Sequence, residues 1–235
     1  MVIPPGEVLK KARSCVKEGE HAEALANYEL FFDRALQDQG EDHNYYGVRL
    51  SYCLDEWARL GVKYPSAKQR LEAKAVEALA AFEATKDEEK FHDFQSISDY
   101  LDQRDRVLGQ FIVYHQANPA LAEVAVRFMW NRLVDAKRWD ICAVYLGDLE
   151  AKYESALHKF DHSMEICLAD PSLGGAEFSE QIKGWYVREV GNLIRALKNT
   201  DQEEAAARLI AAVVSDMNSR GHPEVVDQVN EQATL

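Results

Sequence analysis

Apolar positions along the chain recur every three to four residues, the period of an amphipathic helix. Leu9, Ala12 and Val16 make a first stripe behind Pro4 and Pro5, and Gly19 interrupts it. Ala24, Leu25, Tyr28, Phe31, Phe32 and Ala35 make a second, closed by Gly40. A third runs Tyr46, Leu50, Cys53, Leu54, Trp57 and Leu60, ending at Gly61 and Pro65. Leu71, Ala75, Leu79 and Phe82 follow, then the charged connection from Thr85 to Lys90. Phe91, Phe94, Ile97 and Leu101 precede Val107, Leu108, Phe111 and Tyr114. Beyond Asn118-Pro119 come Leu121, Val124, Phe128 and Leu133, then Trp139, Cys142, Leu146 and Leu149. Tyr153 to Leu168, Ile182 to Leu197 and Ala205 to Val213 complete the pattern. No Asn-Gly or Asp-Gly turn lies between alternating apolar runs, so hairpins are not indicated. The pattern predicts an all-α chain of about nine to eleven helices, mostly in antiparallel pairs.

The arrangement predicts one helical-repeat domain over residues 1–220, with a sub-boundary near 170–176 at Asp170-Pro171-Ser172-Leu173-Gly174-Gly175. Gly221-His222-Pro223 sets off a polar C-terminal tail, 221–235. Two architectures share these stripes: a solenoid of stacked helix pairs and an irregular helical bundle.

Composition agrees. Gly and Pro number 12 and 6 among 235 residues, below their usual combined share of about 12%. The formal net charge is -13, from 27 Lys plus Arg against 40 Asp plus Glu. Phosphate backbones and anionic membrane surfaces recruit cations, and no long Lys/Arg run stands against this balance. The start Met1-Val2-Ile3-Pro4-Pro5-Gly6 lacks the pattern of a secretory signal, and no apolar run reaches a membrane span. Cys15, Cys53, Cys142 and Cys167 form no Cys-x-x-Cys pair and read as reduced core residues. A cytoplasmic protein is expected.

The stretch from Gly19 to Tyr28 resembles the turn and second helix of a tetratricopeptide repeat. That family places a small residue, then an aromatic one turn later, then a closing proline. Ala24 and Tyr28 take the first two places; Val107, Phe111 and Pro119 take all three. Cys142 with Leu146, and Ala205 with Leu209, match further units. Val107 and Cys142 are 35 residues apart, near the family period of about 34. Ala24 and Val107 are 83 apart, which is no multiple of it. The chain thus resembles a degenerate tetratricopeptide-repeat protein of bacterial type. The resemblance implies a non-catalytic scaffold or adaptor that binds a peptide or protein in the groove of its first helices. Within it, Arg127 and Asn131 take the places of a carboxylate grip, a charged donor beside a neutral amide. Tyr100 is the apolar contact on the same side of the preceding unit. Leu9 and Arg13, His92 and Ser96, and Val190 and Ile194 hold the corresponding places of other units.

Chemistry is sparsely marked. His158 and His162 are four apart, a spacing that can chelate one metal from one helical face. Asp161 and Glu165 lie beside them, yet further ligands are not indicated. Glu89 and His92 give a single Glu-x-x-His, where a dimetal site needs two. Asp161-His162-Ser163 are adjacent on a helix and cannot form a hydrolytic triad. No nucleophile elbow or phosphate loop occurs. No cofactor and no enzymatic activity are expected. The alternative is a helical enzyme or metal-binding protein whose site is assembled in three dimensions. The tryptophans Trp57, Trp130, Trp139 and Trp185 read as packing residues, and any one exposed would be a candidate anchor.

Overall fold

A computed structural model describes residues 3–36, 45–170 and 175–235. Gly40 and the core of the 170–176 linker, 171–174, lie outside the described residues. The protein is all-α, and no strand occurs among the described residues. The chain divides into two compact units, Met1–Phe128 and Met129–Leu235.

The first unit opens with α1 (Pro5–Glu18) and α2 (His21–Arg34). Pro5 starts α1, where its missing N–H is no loss. Gly19 ends it at φ 81°, and its amide bonds back to the Cys15 and Val16 carbonyls. The two-residue connection folds α2 back along α1, burying Leu9 and Ala12 against Ala24, Phe31 and neighbours. Next, α3 (Tyr46–Val48) runs through a π-helical turn (Arg49–Cys53) into α4 (Leu54–Lys63). Then come α5 (Pro65–Thr85), α6 (Glu88–Tyr100) and α7 (Arg104–Ala117). Asp87 caps α6 by accepting from the Glu89 amide at 3.0 Å. Gly61 lets α4 approach α5: a Cβ there would lie 3.0 Å from the Lys68 Cβ. Phe82, Phe91, Phe94 and Phe111 have no exposed surface and centre the core. Trp57 is equally buried and donates Nε1–H to the Ala67 carbonyl at 2.9 Å.

Helix α8 (Pro119–Asp135) contains the division between the units. The second unit continues with α9 (Trp139–Tyr145), α10 (Leu149–Ala169), α11 (Gly175–Lys198), α12 (Glu203–Ser219) and α13 (Pro223–Gln232). Gly147 at φ 57° separates α9 from α10. The Asp148 side chain caps α10 through the Ala151 amide. Phe160 and Tyr186 pack with ring centroids 5.2 Å apart. Beside them Tyr186 donates to the Tyr153 hydroxyl at 3.3 Å, and Tyr153 to Asp216 at 2.9 Å. Burial pushes the Tyr186 phenol up to about 12.

Three expectations need correction. The units divide at Phe128, not near 170–176, because α10 and α11 pack on each other across that linker. Residues 221–235 are not a polar tail. Their Val225, Val229 and Ala233 are buried where α13 packs on α11 and α12. Two valines four apart make a stripe too short to stand out against a polar segment. This C-terminal helix brings the described residues to twelve helices, with α3 to α4 taken as one. At the fourth matched unit the buried alanine is Ala206, while Ala205 is half-exposed. The packing face there is turned by one residue.

Candidate functional site

In the first unit, α1 and the α3–α4 helix border an open groove of about 700 Å³. Leu9, Lys10 and Arg13 line it from α1, and Tyr45, Val48 and Tyr52 from the other side. Tyr52 is 63% exposed. Arg13 is held in place by a two-pronged bond to Glu56, Nε and Nη2 donating at 3.0 and 2.8 Å. Tyr28 also donates to Glu56, at 3.2 Å. Lys10 pairs with Glu7 at 2.7 Å. The groove therefore offers an aromatic face, aliphatic side chains and the ion-paired charges of Glu7, Lys10 and Arg13.

The π turn sets this wall. A π turn takes up one residue more than the α period allows. The sequence stripe expected Tyr46 and Leu50 inside. Instead Arg49, Cys53, Trp57 and Leu60 form the buried row, and Tyr46 and Leu50 are half-buried. Arg49, 2% exposed, donates Nε–H to the Phe32 carbonyl at 2.9 Å. Its Cζ lies 3.9 Å from the Phe32 ring centroid. Its Nη2 meets Asp93 at 2.5 Å, while Nη1 has no hydrogen-bond partner among the described residues. Burial raises the Asp93 carboxyl above its ordinary value, against the opposing pull of Arg49. No sequence signal singled out Arg49: charged residues are almost never fully buried unless paired, and the partner is 44 positions away.

A second cleft, about 340 Å³, is bordered by Arg49, Lys74, Lys90, Asp33, Glu77 and Asp93. Lys74 pairs with Asp33 at 2.6 Å, and Lys90 sits 3.9 Å from Asp93. Its charges are matched in sign, so it presents no net field to a charged ligand.

Arg127 is exposed, pairs with Glu88 at 2.8 Å and lies 4.5 Å from the Phe128 ring centroid. Asn131 accepts from the buried Asn192 at 2.8 Å, and Asn192 in turn accepts from Gln232 at 2.9 Å. The first belongs to the first unit and the second to the other. Each has a partner within its own unit. Tyr100, the last residue of α6, is half-buried, and burial raises its phenol.

His158 and His162 are both exposed and stack with ring centroids 6.3 Å apart. Asp161, between them in sequence, is bound to Arg220 at 2.8 and 2.9 Å. Among the described residues, the cluster of three potential ligand atoms within 4.8 Å of one another is Cys15, Glu20 and Glu23. It does not include either histidine. Glu23 there pairs with Lys11 at 2.6 Å, and burial raises the Cys15 thiol. Burial also pushes Cys53 up, and Cys142 to about 11, so these three thiols are poor nucleophiles. His92 shares a 2.7 Å hydrogen bond with Tyr46 through Nδ1 and stacks on Phe128 at 4.5 Å.

Trp57 and Trp130 are buried, whereas Trp185 is 57% exposed with its ring 6.0 Å edge-on to Phe178. No helix among the described residues is long and apolar enough to cross a membrane. Comparison with family models, curated proteins and solved structures found no match to this chain.

Proposed function

We propose that this protein is a non-catalytic interaction module, a scaffold or adaptor of tetratricopeptide-like helix pairs, that holds a peptide or protein partner along α1. The observation that carries this reading is the groove of about 700 Å³ with Tyr52 63% exposed on its wall. Tyrosine supplies a large, rigid, amphipathic contact at low entropic cost, and such residues dominate binding energy when covered. Arg13, fixed by Glu56, would meet a partner without first losing side-chain freedom. Arg127, on the exposed side of α8, is a second polar contact in this reading.

Photocrosslinking in the producing cell tests it. A benzoylphenylalanine in place of Tyr52 is expected to capture one dominant protein. The same group at Val62, 86% exposed and outside the groove, is expected to capture none. Arg13→Gln and Arg127→Glu should each weaken capture at Tyr52. Capture at Tyr52 no greater than at Val62 would remove the groove as a binding surface. A purified protein that turned over a small molecule, and lost that activity on replacing His158 or His162, would favour an enzyme instead.

A further inference from the structure

From Tyr46 to Lys63 the chain forms one continuous helix carrying a π turn at Arg49–Cys53. The extra residue strains the ladder, and π turns are rare for that reason. This one coincides with the deepest charged group of the first unit. Arg49 is bound to the Phe32 carbonyl, the Phe32 ring and Asp93, all across the helix packing. The pair is a poor source of net stability. Both ions are almost fully desolvated, and one guanidinium nitrogen has no partner among the described residues. A buried pair of this kind is best attested as a selector of register. Two neighbouring bonds hold the same segment. Ser51 Oγ donates back to the Gly47 carbonyl at 2.5 Å, and Tyr46 shares its hydroxyl with His92.

We propose that the Arg49–Asp93 pair is a register latch: it holds this helix in its π register, and an all-α register one residue away is the element's second state. Converting the turn restores α-helical bonding but withdraws Arg49 from Asp93. Residues before the turn then rotate by about 100° and advance by about 1.5 Å. Tyr45 and Val48 would leave the groove wall, and Tyr52, inside the turn, would change its surroundings. The latch thereby sets the groove's shape. This inference concerns the helix alone and stands whether or not the groove binds a protein.

The test uses the full chain labelled with 3-fluorotyrosine, the Tyr52 fluorine signal being assigned with Tyr52→Phe. The unmodified protein is expected to give one Tyr52 signal. The double variant Arg49→Met, Asp93→Leu removes the ions while filling their space. It should show a displaced or second Tyr52 signal of at least about a tenth of the intensity. A folded double variant with a single signal at the original position would overturn the latch. If the double variant does not fold, Asp93→Asn is read by the same criterion: a new signal supports the latch, and an unchanged spectrum overturns it.

Discussion

Ala24 has no exposed surface and lies where α2 meets α1. A larger side chain there has no room to relax. Ala24→Leu is expected to cost about 1–3 kcal/mol by urea titration. Unchanged stability would show that the α1–α2 contact is looser than the burial implies. The small-then-aromatic spacing of Ala24 and Tyr28 was legible in the sequence, because burial of both follows from their place on one helical face. His92 was marked in the sequence by its Glu89-x-x-His92 spacing, but its partial burial was not legible there. Burial lowers its pKa, opposed by Glu89 and Asp99 and assisted by Arg127 and Arg49. The folded state thus prefers neutral imidazole, while the unfolded chain protonates near 6.5. Stability from this residue is complete above that value and is lost as pH falls below it. Denaturant titrations from about pH 7.5 to about pH 5.5 should show that loss. His92→Gln should flatten the part of the slope that His92 contributes.

At the scale of elements, periodicity located almost every helix because each buries one face. It failed where the period itself changes. The π turn moved burial from Leu50 to Arg49, and a 3.6-residue stripe cannot register an inserted residue. It also passed over α13, whose anchor is a close approach rather than a long stripe. A Cβ on Gly191 of α11 would lie 2.5 Å from the Gln232 Cγ of α13 and 3.3 Å from the Val229 carbonyl. Gly191→Ala is therefore expected to push α13 outward at a cost of about 1–3 kcal/mol. Hydrogen exchange should rise in α13 and stay unchanged in α10. Equal protection in both proteins would mean that the Gln232 side chain moves aside without cost.

For the whole molecule, the net charge of -13 opposes binding to polyanions. The protein should pass through a heparin column at about 0.1 M salt, and retention would reveal a basic patch that the composition conceals. A far-ultraviolet spectrum with a strand component would contradict the all-α architecture. The sequence by itself determined that architecture, since helix period, few breakers and absent hairpin turns are local properties, each written within a few residues. It also placed Ala24, Trp57, Phe91 and Cys142 inside. Only tertiary structure decided the division at Phe128, the mutual burial of Arg49 and Asp93, the exposure of Trp185 and the groove bounded by Leu9 and Tyr52. Each of these depends on which residues meet across long sequence separations, and side-chain periodicity reports a buried face without naming what covers it.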